Sequence, residues 1–317
     1  MNKLILDVDT GEDDALAVLL AVKNKLPLTH VVTSFGNTSL ENSTRNTSRL
    51  LNLVNAKKVV VVKGSAKPLQ DHPFEKTTSV AGDFVGKNGL CNVELPDNIN
   101  IKIEDPPEKD FISHMEAIFK KNGKTDYIIT GPCTNFARIC IKLGKKIHTY
   151  IGNVYIMGGA IHTAGNSGPI DPKTKEAVAE FNAYCDPYAL EEVLKTGLPI
   201  HMITWDITSI VTIPFKAIKK FKSTTPEGRF VITLMQSFFT FYGLSNDRNF
   251  ELNDPLTVLA YMGKGSYTEE RISVVTTEKN YGQTKTSKTG YSIKYYQLEK
   301  IQPAIQEILE MLTVHSS

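Results

Sequence analysis

Short apolar runs punctuate this chain at intervals. Leu4 to Asp7, His30 to Thr33, Val59 to Val62, Tyr127 to Thr130, Val154 to Met157 and Ile200 to Ile203 are β-rich, and each predicts a strand. Ala15 to Val22, Asn42 to Val54 and Phe136 to Leu143 follow several of them with helical periodicity. This alternation predicts an α/β fold, with βαβ units around a mostly parallel sheet flanked by helices. Near the end, Ile305, Ile308, Leu309 and Leu312 form one apolar stripe and predict a last helix packed on the sheet. Thr276 to Gly290, rich in Thr, Lys and Gly, predicts a strand edge and hairpin. No linker, composition break or internal repeat divides the chain, so residues 1–317 are expected to form one domain.

Composition narrows the partners. The 317 residues are 41% hydrophobic and 22% charged, with 36 Lys and Arg against 34 Asp and Glu. Neither sign gathers in a block of the kind that grips nucleic acid or a membrane surface, and a small neutral substrate suits this balance. No apolar run approaches the roughly 18 residues of a bilayer span, so a cytoplasmic protein is expected. Cys91, Cys133, Cys140 and Cys185 show no C-x-x-C spacing and read as buried free thiols.

Chemistry concentrates at LILDVDTGEDDALAVLL, residues 4–20. A strand delivers Asp7 and Asp9 into a turn at Thr10 and Gly11, and a helix begins near Glu12 with Asp13 and Asp14 in its first turn. Complementing the helix dipole accounts for one or two of these acids. Five acids among eight residues repel one another unless a cation is present. Oxygen donors without a His or Cys cluster suit Ca²⁺ or Mg²⁺ and not zinc. Asp9, Asn37 and Thr130 each fall at or just beyond a predicted strand's C-terminal end, where open α/β sheets bind ligands. Haloacid-dehalogenase-like phosphatases also begin with a strand ending in D-x-D. Their pattern requires Thr or Val where this chain has Gly11, and it gives Asp13 and Asp14 no role, so that reading is the minor alternative.

The segment DVDTGEDDALA resembles the DxDxGxDDAxA signature of the inosine–uridine-preferring nucleoside hydrolases. GNTSLENSTRN, TGPCTNFA, MGG before a glycine-containing loop, and AEFNAYCDP follow in the family's order, with GQTKT a looser match. The resemblance implies a single open α/β domain with a mixed, largely parallel sheet, assembled as homodimers or homotetramers. It implies hydrolysis of a ribonucleoside to ribose and free base, a salvage reaction, with Ca²⁺ as cofactor. Asp9, Asp14, the main-chain carbonyl of Thr130 and Asp254 become calcium ligands, and Asp9 is also the base that activates a calcium-bound water. Asp13, Asn37, Glu180 and Asn182 match positions that bind the ribose or organise its surroundings. Asn166 is the counterpart of a further ribose-binding Asn, although Ser167 to Val178 is longer than the usual connection. Such residues suit departure of a base from an oxocarbenium-like sugar, which needs charge stabilisation and a held nucleophile. Asn37 as a helix cap and Asn166 as a turn residue are the plainer readings.

Two departures concern the leaving base. Many relatives carry a His before the Asp that matches Asp254, where this chain has Asn253, grouped here with the substrate-side residues. The covering loop, commonly HGxDGLG, reads VGKNGLC, with Val85 for the His and Asn88 for the Asp. Phe84, Tyr242 and Trp205 are candidates to stack the base, and His162 is the remaining candidate acid. The rival expectation is a ribosyl-ligand binding or sensor protein that kept the metal pocket and lost turnover with the histidines.

Overall fold

The computed structural model describes residues 2–73, 85–97, 100–241 and 249–316. Ten strands form one sheet. Its spatial order is Thr284–Thr286, Ser266–Val274, Tyr291–Gln297, Ile200–Ile203, Ile151–Met157, Thr125–Ile129, Lys3–Val8, Leu28–Thr33, Val60–Lys63 and Ile103–Glu104. Ser266–Val274 pairs antiparallel with both its neighbours, and every other pairing is parallel. All six predicted strands are present, and Thr284–Thr286 is the edge strand that the Thr276 to Gly290 segment predicted.

Lys3–Val8 runs through the middle of the sheet, with Asp7 in register with Val32 on one side and Ile129 on the other. From it the chain moves outward in one direction to Ile103–Glu104, then returns and moves outward in the other from Thr125–Ile129. The strand order therefore reverses beside Asp9 and Thr130, and open sheets part there to leave a crevice.

Side chains of the first strand alternate between two helical layers, as the period of two requires. Leu4, Leu6 and Val8 are buried with Leu16, Leu20, Leu256 and Ile308, and Ile5 lies on the other face with Met115, Phe119 and Phe136. Burial on both faces is why the strand reads as an unbroken apolar run. Helices Glu12–Lys23 and Asn253–Tyr261 pack against each other. That contact carries the start of the second helix to the acidic turn at the start of the first. A separate ribbon pairs Asn249–Glu251 with Thr212–Pro214 antiparallel. No helix among the described residues is long and apolar enough to cross a membrane.

Candidate active site

Asp9 leaves the first strand fully buried, and Asn37 holds both of its oxygens. The Asn37 backbone N–H donates to Oδ2 at 2.6 Å, and its side-chain Nδ2 donates to Oδ1 at 3.3 Å. This approach requires glycine at 36, where φ is +151° and an added Cβ would stand 1.9 Å from Asp9 Oδ2. Asn37 is thus committed to the acid and is not a helix cap; Ser39 caps Leu40–Leu53 instead. Asp14, one turn along, accepts the Gly11 N–H at 3.1 Å and the Thr130 hydroxyl at 2.6 Å. Thr130 reaches it because its strand runs parallel beside the first.

Asp13, Asp14 and Asp254 each bring a carboxylate oxygen within 4.8 Å of the others. Burial raises the Asp9 carboxyl well above its ordinary range, and the charge of Asp14 adds to the effect. Burial followed by the charges of Asp13 and Asp14 does the same to Asp254, and burial with Asp14 pushes Asp13 up to about 6. These acids destabilise one another's charged forms, and a cation removes that conflict. The donors are all oxygen and close-set, with Asp14 and Asp254 buried and Asp13 half-buried, so the residues fit a hard divalent ion such as Ca²⁺. The Thr130 carbonyl accepts from Asn182 Nδ2 at 2.7 Å and retains a second lone pair.

The remaining expected residues divide into three positions. Asp13, Asn37, Thr130, Asn166, Asn182, Asn253 and Asp254 line one cleft of about 680 Å³. Glu180 lies behind it, with its two oxygens accepting the N–H groups of Gly159, Asn182 and Ala183, and so fixes Asn182. Asn166 is exposed at the rim, on strand Gly165–Ile170. The long Ser167 to Val178 connection folds back as a hairpin, bridging Ser167 to Ala179. Asn253 donates to Asp13 Oδ2 at 3.1 Å, which ties it to the acidic turn.

Trp205, Phe181 and Phe238 supply ring surface to the cleft beside Val85. Phe84 and Tyr242 lie outside the described residues. His162 bonds to Glu270 at 3.0 Å and does not line this cleft. Sequence reading missed Glu251 and gave Glu12 no role in the site beyond the acidic turn, yet both line the cleft. The available signal was Asn249–Phe250–Glu251, whose alternation puts Phe250 in the core and its neighbours on the opposite side.

Comparison with known proteins places this geometry. Residues 4–307 match the family described as inosine-uridine preferring nucleoside hydrolase. The chain is 29% identical over 314 residues to a pyrimidine-specific ribonucleoside hydrolase, RihA, from Klebsiella pneumoniae subsp. pneumoniae, covering 97% of this chain and 93% of the relative. An Escherichia coli RihA is 29% identical over 306 residues, covering 95% and 91%. Among solved structures, a purine-preferring ribonucleoside hydrolase from Gardnerella vaginalis superposes with a TM-score of 0.83 at 25% identity, covering 98% of each chain. A plant nucleoside hydrolase shares the fold with a TM-score of 0.82 at 22% identity, covering 98% of this chain and 99% of its own. With a buried acidic turn at the sheet's switch point and a match along nearly its whole length, the chain belongs to the inosine-uridine preferring nucleoside hydrolase family of N-ribohydrolases.

Proposed function

We propose that residues 1–317 act as a single catalytic domain that hydrolyses the N-glycosidic bond of a ribonucleoside with Ca²⁺, Asp9 serving as the base. The observation that carries this reading is the close-set cluster of Asp13, Asp14 and Asp254 beside Asp9, whose strongest charge interactions are with one another. Asp9, Asp14, the Thr130 carbonyl and Asp254 would hold the ion. When bound, it supplies a fixed positive charge that orients and acidifies a water.

The chain's own groups then do the rest. Asp9 takes the proton of the attacking water, and the two bonds from Asn37 keep its carboxylate from rotating away. Asp13 and Asn182 face the cleft where ribose hydroxyls offer donors and acceptors, and Asn37 and Asn166 complete that polar side. Trp205, Phe181 and Phe238 give a planar base an apolar surface. The closely spaced carboxylates favour charge build-up on the sugar as the base departs.

The test is a screen of nucleosides by reducing-sugar release, with calcium saturating and after exhaustive chelation. Release should require the ion and return with Ca²⁺. Full turnover by protein shown by elemental analysis to hold no divalent metal would refute the ion's role, and absence of ribose release from every nucleoside would refute the reaction.

A further inference from the structure

Four successive backbone N–H groups in the loop after strand Ile151–Met157 are each taken by a side chain from elsewhere in the chain. Gly159 donates to Glu180 Oε2 at 2.8 Å and Ala160 to the Thr284 hydroxyl at 2.8 Å. Ile161 and His162 donate to the two oxygens of Asp206, at 3.0 and 2.5 Å. The Thr284 hydroxyl in turn donates to the Ala160 carbonyl at 2.9 Å. Glu180 also fixes Asn182 on the polar side of the cleft, and Asp206 directly follows Trp205, whose ring lines the opposite side. The loop then runs on to strand Gly165–Ile170 and Asn166.

Trp205 needs such support. It opens a helix of four residues, Trp205–Thr208, and a single turn is too short to hold itself. Ile207 packs against the core and secures one side of that turn. The other side is secured only through the loop, where the Trp205 N–H donates to the Gly159 carbonyl at 2.8 Å and the Asp206 carboxylate grips the two N–H groups of Ile161 and His162. Bonds from backbone N–H groups to a carboxylate are among the stronger ones.

We propose that Asp206 is a positioning residue that sets the Trp205 ring against the leaving base, at a spacing from the ribose side that the shared loop fixes. This role rests on the N-ribohydrolase reading above, in which the base lies on the aromatic side of the cleft. Stacking on a held ring is binding that substrate and transition state share, so its loss appears in KM. A carboxylate that merely stabilised the fold would act differently, because partial unfolding removes active molecules, lowering kcat and leaving KM unchanged.

The experiment measures kcat and KM for uridine and inosine by ribose release at saturating calcium on the parent, Asp206→Ala, Asp206→Asn, Trp205→Ala and the Trp205→Ala/Asp206→Ala double variant. Trp205 is the chain's single tryptophan, so acrylamide quenching of its fluorescence reads the ring directly in the variants that keep it. Asp206→Ala should raise KM by about five- to tenfold with kcat nearly unchanged, and should make Trp205 easier to quench. Asp206→Asn keeps an acceptor for one N–H and turns a donor towards the other, so it should fall between parent and Asp206→Ala; it also decides the matter by the same readouts if Asp206→Ala does not fold. Trp205→Ala should raise KM by a similar factor, and adding Asp206→Ala to it should cost nothing more. Effects that multiply in the double variant, a loss confined to kcat, or unchanged quenching would overturn the role of Asp206 and leave the hydrolase reading standing. If the parent releases ribose from no nucleoside, the hydrolase reading falls and quenching alone decides: a rise in Asp206→Ala upholds the hold on Trp205, and no change overturns it.

Discussion

Replacing Asp9 with asparagine removes one negative charge and almost no volume, so any large effect is chemical. The amide oxygen can still accept the Asn37 N–H now bonded at 2.6 Å, but the new –NH₂ then faces Asn37 Nδ2, donor to donor, where the carboxylate accepted at 3.3 Å. Turning the Asn37 amide relieves this at a cost of about 1–3 kcal/mol in stability. Losing the base should lower kcat by about 10²–10⁴-fold, or roughly 3–5 kcal/mol of barrier. Ribose release across a calcium titration separates the two roles of Asp9. If it only bound the ion, excess Ca²⁺ would restore the rate, whereas loss of the base leaves kcat low at saturation. Asp7→Asn is the control, because Asp7 bonds to Tyr127 Oη at 3.0 Å and Asn135 Nδ2 at 2.9 Å inside the sheet and should affect stability more than turnover. Near-normal kcat in folded, calcium-loaded Asp9→Asn would refute the assignment of the base.

Three further outcomes follow from the geometry. Chelation should lower Tm, since free Ca²⁺ at a hundred times its Kd stabilises the fold by about 2.7 kcal/mol; identical melting with calcium and with chelator would contradict the ion site. Asn253→Ala removes the donor to Asp13 and should lower kcat/KM about tenfold on nitrophenyl riboside and uridine alike, while a loss confined to uridine would move residue 253 to the leaving base. His201 is packed between Tyr155 and Tyr267, its ring nitrogens have no hydrogen-bond partner among the described residues, and burial lowers its imidazole to about 4. The unfolded chain protonates this group near pH 6.5, so its contribution of up to about 3 kcal/mol is whole above that pH and is lost as pH falls towards 4. Tm should therefore fall more steeply over that window in the parent than in His201→Phe, and parallel curves would show that His201 is not the cause.

The sequence made the first strand, its acidic turn and the central parallel strands legible, because a strand buried on both faces is a short apolar run and five acids in eight residues have few structural uses. Helix Asn253–Tyr261 was harder to see. Nearly all of it is buried, so it lacks the one-sided periodicity that marks a surface helix. Ser266–Val274 was hidden for the opposite reason, since its polar SYTEERISV run gains its place from its neighbours. Glu180 was recognised by resemblance, but its task of fixing Asn182 through three backbone N–H groups depends on a turn that spacing cannot show. Asn253 was read as belonging to the leaving base, and only the packing of two helices reveals its bond to Asp13. Glu12 and Glu251 reach the same cleft from elements far apart in the chain, and no local pattern announces it.

The acidic turn precedes, by long stretches of chain, the residues that complete it. The strand leading to Thr130 lies more than a hundred residues after Asp9, and Asn253 meets Asp13 across 240 positions. Until helix Asn253–Tyr261 docks, the chain holds a cluster of acids without Asp254, and the proposed ion site is incomplete. Under that proposal, capture of the ion would report the docking of this helix against Glu12–Lys23. A chain ending before Asn253 would retain the signature and lack Asp254, so the proposed ligand set would be incomplete and any stabilisation by the ion would be reduced.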